Sequence, residues 1–588
     1  MNSEFQISDV FNFEQFFLPF NRFRTGFVVL FSMSWNTLYF LFLPALILAF
    51  QPLVIKANLI NATPANYSSL VPNLKPGDTL LFVAGTYMNH LNVYNIAGTA
   101  AAPIVLTGPE TGAPAIILGT SSGSNLVSLK MCSYITIRKL NIDCKKLMID
   151  GLKAEGSPAD NVTHDITIED CVFDNVGDGS DQQIVAISTK CKYLWNWIIR
   201  RNVINSAGTG MYLGNSDGSN GMVSFLIEYN YVHHSIGYNL QIKQENDGLR
   251  VAAGMPKNGS HIIRYNVFSK ANNSICDPAL KRPNVLLGES PLTTDGKDDW
   301  FEIYGNLFYQ NPCEALIQAT GNLCFHHNIL INDTTGYGAV IQTHNGRRPK
   351  NIFVFNNSIF VKNSAGISLS NPDTSFKQIA TQNAIFSSVQ SVQGFKIHLN
   401  NFPNNYTQTW IFVNKYTPFN LLQTDVYPQD NGLRMPDVHA SEFEQHPDWN
   451  KDFNGQKDNF TFTGAYCGMG KNPCWQLAES KRSPVDSCHT KSFVDEVEGS
   501  GFEDCVIYPN PSKDNIIIGI KDFEVKRYNI SIINYLGEIV QIGIGEILWN
   551  NQISLNLNNL INGEYLLKIE IENSSGKRIF VRRISIIR

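Results

Sequence analysis

The chain has 588 residues, with 46 Lys+Arg against 51 Asp+Glu and a formal net charge of −5. Charged residues make up 16% and hydrophobic ones 43%, which excludes a disordered chain, since disorder needs low hydrophobicity and high net charge. No basic stripe precedes the last dozen residues, so no nucleic-acid partner is expected, and the 11 Cys include no CxxC pair of a structural zinc site.

Residues 1–57 read as a signal peptide region. Positions 27–50 are almost charge-free and follow Arg22 and Arg24. The stretch is long enough to span a bilayer, but a secretory signal is preferred. Met33 is expected to be the true start, with an apolar core from Leu38 to Phe50 and a cleavage site ending at Ala57 or Ala62.

From about residue 135 the pattern apolar-x-apolar-x-x-Asn-x-apolar recurs: ITIRKLNI at 135–142, ITIEDCVF at 166–173, WIIRRNVI at 197–204, FLIEYNYV at 225–232, HIIRYNVF at 261–268, FEIYGNLF at 301–308, LCFHHNIL at 323–330 and FVFNNSIF at 353–360. The marker falls at Asn141, Cys171, Asn202, Asn230, Asn266, Asn306, Asn328 and Asn357. Most gaps are 22 to 31 residues; those ending at Asn266 and Asn306 are 36 and 40. Alternation of period two predicts strands, and Asn at each bend tolerates a left-handed backbone and can stack in a ladder. A second short strand recurs as GMYLG at 210–214, NLQIK at 239–243, NVLLG at 284–288, EALIQ at 314–318, GAVIQ at 338–342 and GISLS at 366–370. Two or three strands per repeat of this length predict an all-β chain: a right-handed parallel β-helix over 58–400, a helix-closing segment and linker over 401–505, and a small β-sandwich over 506–588.

The run ANYSSLVPNLKPGDTLLFVAGTY at 65–87 resembles the opening coil of the pectin-lyase-like superfamily, most of all its chondroitinase B and alginate lyase branch. There a short amphipathic helix caps the first coil, and a PGDT turn, here Pro76-Gly77-Asp78-Thr79, leads into the first strand. The resemblance implies action on an acidic polysaccharide, a catalytic Lys paired with an Arg one coil later, and carboxylates that bind calcium.

Aligning the second strands on Leu240/Ile242, Val285/Leu287, Ala315/Ile317 and Ala339/Ile341 puts outward positions in columns ~4.8 Å apart per coil. They read Gly214-Lys243-Gly288-Gln318-Gln342, Tyr212-Gln241-Leu286-Leu316-Val340 and Gly210-Asn239-Asn284-Glu314-Gly338. Glu245, Glu289, His344 and Asn345 follow the strand ends, and Arg282 precedes Asn284. This strip is expected to bind sugar through Tyr212, Asn239, Gln241, Glu245, Asn284, Glu289, Glu314, Gln318, Gln342 and His344. A lyase removes the proton α to a carboxylate, so it needs a base of tuned pKa and a cation beside the carboxylate. Lys243 lies in the coil where the resembling lyases carry their catalytic Lys and is expected as base or neutraliser; a solvated surface lysine is the plainer reading. The implied Arg position falls near Gly288, and Arg282 is the nearest candidate. Asn239 and Gln241 occupy the region of the metal-binding carboxylates, so the sequence fixes no cofactor and leaves calcium open.

Other features read as structural. Glu169, Arg200, Glu228 and Arg264 alternate in sign on adjacent coils, as an ion-pair ladder would. His233-His234 and His326-His327 place neighbours on opposite faces of a strand and are expected at the coil surface. Asp178, Asp181, Asp298 and Asp299 read as turn residues rather than the paired acids of a polygalacturonase-type hydrolase. Cys467 with Cys474 and Cys488 with Cys505 are candidate disulfides; Cys132, Cys144, Cys171, Cys191 and Cys324 are expected as buried thiols.

In 506–588, Tyr508-Pro509-Asn510-Pro511, Gly537, Leu560, Gly563, Tyr565 and Gly576-Lys577 resemble the C-terminal sorting domain of the type IX secretion system. The resemblance implies a Bacteroidota-type source, export through a Sec signal and then the type IX secretion machinery, and a secreted or outer-membrane-surface location. The whole reads as a secreted monomer, expected to be a lyase that cleaves an acidic, uronate-containing polysaccharide by β-elimination. A non-catalytic glycan-binding β-helix and a polygalacturonase-like hydrolase are the alternatives.

Overall fold

The computed structural model describes residues 57–588 apart from 124, 272–280, 335–336, 343, 435–440, 486–487, 489–504, 509, 511, 521–526, 535–538, 547–551, 574–575 and 588. The apolar segment 27–50 and Met33 lie outside the described residues. Among the described residues no helix is long and apolar enough to cross a membrane. Ala62 is a buried residue of the strand Leu59–Ala62, which pairs with Thr79–Phe82, whereas Ala57 precedes that strand.

Each repeat forms three strands rather than two. They stack as three parallel sheets, here numbered in the order a coil visits them, with 13, 12 and 11 strands. Alternate residues turn inward and become vertical neighbours. Ile168, Ile199, Ile227, Ile263, Ile303, Phe325, Val354 and Ala380 form one unbroken stack in the first sheet. All are buried in the main apolar core or beside it. No coil could bury this face alone; stacking supplies the hydrophobic driving force.

The bend from first to second strand carries the asparagines. Asn202, Asn230, Asn266, Asn306, Asn328, Asn357, Asn383 and Asn401 are linked by side-chain hydrogen bonds of 2.9–3.1 Å, each Nδ2 donating to the next Oδ1. The left-handed backbone sits one residue earlier, at Arg201, Tyr229, Tyr265, Gly305, His327, Asn356 and Gln382. Asn141 is not a member. It pairs with Val172 inside the second sheet, while Leu140 and Cys171 follow the left-handed residues of their coils. Cys171 donates its backbone N–H to Asn202 Oδ1 at 2.9 Å.

The opening end of the stack is covered. Tyr67–Leu70 and Val71–Asn73 form the opening cap, with the Tyr67 ring against Phe82 and Tyr87. In the turn that follows, Asp78 Oδ2 accepts the Lys75 N–H at 2.8 Å. The coils continue past Phe386 to the strand Phe402–Asn404. The segment beyond folds back along the outer face of the second sheet, where Tyr427, Phe453, Phe462 and Tyr466 bury Val267, Leu307, Ile329 and Phe360. Cys474 pairs with Cys488 rather than with Cys467, which is free, and Cys313 is also disulfide-bonded. The five coil cysteines are free and buried, and burial pushes the thiols of Cys132, Cys144, Cys171 and Cys191 up to about 12.

The charge ladder forms: Arg200 Nε is 2.7 Å from Glu169 Oε2, and Arg264 Nε is 2.8 Å from Glu228 Oε2. The histidine pairs differ from expectation. His234 and His327 are the left-handed residues of their turns, so each ring swings onto its neighbour's side and the Nδ1 atoms approach to 2.6 and 2.9 Å. His326 and His327 are buried, not on the surface, and His327 Nε2 lies 3.0 Å from Asp458 Oδ2.

The described residues between 505 and 586 form a three-stranded and a four-stranded antiparallel sheet. Ile516, Ile518, Ile530, Ile532, Leu567, Ile569, Phe580 and Ile584 fill the core of this sandwich.

Candidate active site

The closing segment fills the outer face of the second sheet, and the polar strip read from the sequence lies on the third. The two longest coils, 36 and 40 residues, carry described loops after Ile242 and after Leu287. A buried clasp ties these loops together. Arg250 holds Glu245 through two contacts, Nε–Oε1 at 3.1 Å and Nη2–Oε2 at 2.9 Å, and Asp299 through Nη1–Oδ2 at 2.6 Å. Asp247 Oδ1 accepts the N–H groups of Leu292 and Thr293 at 2.7 and 2.9 Å.

On the floor, Ser188, Tyr212, Gln241, Leu286, Gln318 and Val340 stand in register on successive coils. One residue beyond the strands, Lys190, Gly214, Lys243 and Gly288 share a level. Gly288 is needed there: a Cβ would lie 2.3 Å from Gln244 N and 2.6 Å from the Lys243 carbonyl carbon.

The two lysines face one ring. Lys190 Nζ is 3.9 Å and Lys243 Nζ 5.0 Å from the Tyr212 ring centroid. Burial, then the charges of Lys190 and Arg282, push Lys243 down to about 8. Burial, then Lys153, does the same to Lys190, against the pull of Asp150 and Asp217. Burial raises Tyr212 to about 12. His344 is lowered by burial and then by Lys243, which places its imidazole within reach of the same field. Arg282 stacks 5.8 Å above Tyr238, and its carbonyl accepts from Lys270 Nζ at 3.0 Å. Lys270 is fully buried and is pushed down to about 7 by burial and then by Arg282.

Several expected site residues are placed otherwise. The strand near 314–318 is Ile317–Ala319, so Gln318 stands beside Leu286 and Val340, not in the column of Lys243, and Leu316 rather than Glu314 follows Asn284. Glu314 Oε1 accepts its neighbour Ala315 N–H at 3.0 Å. Asn239 and Asn284 are fully buried; their Nδ2 atoms serve main-chain carbonyls at Val232 and Ser269, and at Phe268, Tyr309 and Gln310. Glu245 belongs to the clasp, and Glu289 is buried with Lys350 Nζ 3.0 Å away. Lys190 was missed; carrying the strand alignment upstream to VAIST at 185–189 would have placed it in the Lys243 column.

The donor set beside Lys243 does not suit calcium, which takes six to eight oxygens. Glu245 and Glu289 are paired with Arg250 and Lys350, and Asn239 Oδ1, a buried oxygen without a hydrogen-bond partner among the described residues, is far short of such a shell. The cluster of metal-ligating groups found among the described residues, Glu302 with Cys324 and His446, lies on the first sheet.

Residues 506–582 match the family of secretion system C-terminal sorting domains. The chain is therefore a type IX secretion cargo, secreted or held at the cell surface. No curated protein sequence matches the chain. Among solved structures it is similar to an alginate lyase from Paenibacillus sp. str. FPU-7, at 14% identity and TM-score 0.30, over 59% of this chain and 99% of that one. It is also similar to a mannuronic-acid-specific polysaccharide family 6 lyase from human gut microbiota, at 12% identity and TM-score 0.29, over 57% and 83%. A third is a family 6 polysaccharide lyase from Pseudopedobacter saltans, at 10% identity and TM-score 0.28, over 59% and 93%.

Proposed function

We propose that the trough on the third sheet cleaves an acidic, uronate-containing polysaccharide by β-elimination. The observation that carries this reading is a pair of half-buried lysines over one ring, Lys190 and Lys243 Nζ 3.9 and 5.0 Å from the Tyr212 centroid, with neither ion-paired among the described residues; burial, and then Lys190 and Arg282, push Lys243 down to about 8. Such a cluster attracts a carboxylate and contains its own base.

Lys190 and Arg282 take the uronate carboxylate and withdraw charge, which acidifies the adjacent C–H. Neutral Lys243, about a tenth of the population at pH 7, accepts that proton. The electron pair forms the new double bond, and the glycosidic oxygen on the β-carbon departs. The Lys243 ammonium, or water, returns a proton to it. Tyr212 holds both lysines by cation–π contact, and the buried clasp sets the wall. A hydrolase of the usual kind sets two carboxyl groups across the bond, and beside Lys243 both Glu245 and Glu289 are held by cations.

The test is incubation of the protein with alginate, pectate and glycosaminoglycans beside Lys243→Ala. An ultraviolet-absorbing unsaturated product from one polymer, lost in the variant, is expected. Reducing ends without that absorbance would mean a hydrolase, and binding without either would mean an adhesive β-helix; both overturn the proposal.

A further inference from the structure

The outer face of the first sheet carries a second cluster of chemically capable side chains. Glu302 and Cys324 are lateral partners on adjacent coils. The turn Ser441–Gln445 crosses above them, and His446, next in the chain, sets Nδ1 2.8 Å from Glu302 Oε1. One ligand atom from each of the three lies within 4.8 Å of the other two. All are at least nine-tenths buried, at 4%, 0% and 4% exposure. The surroundings are aromatic: the His446 ring meets Trp300 at 4.5 Å and Phe353 at 5.6 Å. Within this apolar shell, Glu302 Oε2 and His446 Nε2 have no hydrogen-bond partner among the described residues. A buried carboxylate oxygen without a donor is costly, and the Glu302–His446 contact serves only the other oxygen.

We propose that Glu302, Cys324 and His446 bind one zinc ion, which clasps the closing segment onto the β-helix. Carboxylate, thiolate and imidazole are the three donor types zinc accepts in a small tetrahedral shell, and a thiolate ligand selects against calcium and magnesium. Binding exchanges the Cys324 thiol proton for the metal and releases that proton to solvent; no electron moves. The three side chains supply three of zinc's four positions, and the ion would join two neighbouring strands to a loop more than a hundred residues later. The site is on a different sheet from the lysine trough and stands independently of the lyase reading.

The full chain, produced with zinc and then dialysed, is expected to retain about one zinc per molecule, with a transition temperature that falls when a strong chelator removes it. Cys324→Ser is expected to lose the ion while keeping the far-ultraviolet dichroism of a β-helix. Should that variant misfold, the unaltered chain decides the matter: stripped and reloaded with cobalt, it shows a thiolate-to-cobalt charge-transfer band. Full-length protein that retains no zinc and gives no such band, or Cys324→Ser that retains zinc equally, overturns the proposal.

Discussion

Lys243 owes its low pKa first to burial and then to Lys190 and Arg282, so part of its neutral fraction at pH 7 depends on a residue two coils away. The sign follows directly. A positive neighbour disfavours the ammonium, so removing Lys190 stabilises the protonated form and raises the Lys243 pKa. Lys190→Met is expected to move the rising limb of the pH–rate profile upward from about 8, by up to about one unit, which is about tenfold less neutral base at pH 7. Activity in the variant should recover at alkaline pH. A profile that keeps its midpoint and loses only amplitude would mean that Lys190 binds the polymer without tuning the base. Lys190 also shows why the site was only partly legible. It stands one coil before Gly214, where the recurring short-strand pattern begins, and nothing in the local sequence distinguishes a buried cation from a solvated one.

At the level of elements, the asparagine ladder is the most demanding feature of the coil corner. Asn266 Oδ1 accepts from both Asn230 N and Nδ2, while its own Nδ2 donates to Ile227 O, Arg264 O and Asn306 Oδ1. Asn266→Leu keeps the volume and orphans a buried N–H and carbonyl, each worth about 1–3 kcal/mol. The expected loss is about 2–4 kcal/mol, read as a lower denaturant midpoint, with Asn401→Leu at the half-exposed end of the ladder costing less. The ladder was legible because its marker recurs at every corner; its one misplacement, Asn141 for Leu140, arose because Leu-Asn-Ile offers an asparagine one position late. The third strands were harder. Alternation of period two is blind to a slip of two residues, and around 314–318 both Ala315/Ile317 and Ile317/Ala319 satisfy it. Hydrogen bonding to the neighbouring coils decides for the latter. The histidine pairs failed for a related reason: one left-handed residue cancels the alternation that would have separated the rings.

Across the whole molecule the buried apolar clusters divide by function. Those of the β-helix and its closing segment draw on residues from Ile60 to Leu477, and the sandwich cluster draws only on residues from Ile507 to Ile586; among the described residues no side chain belongs to both. A domain that completes its own core can be removed without opening another. Deleting 506–588 is therefore expected to leave the dichroism, thermal transition and product formation of the remaining chain unchanged. Export should respond differently, because residues 506–582 are the part that matches secretion sorting domains. In a host with the type IX machinery the truncated chain is expected in the periplasm and the full chain in the medium or on the surface, as read by fractionation. Equal release of both would detach the sandwich from sorting. Loss of folding on truncation would instead mean that the two cores, though they share no residue, depend on each other for stability.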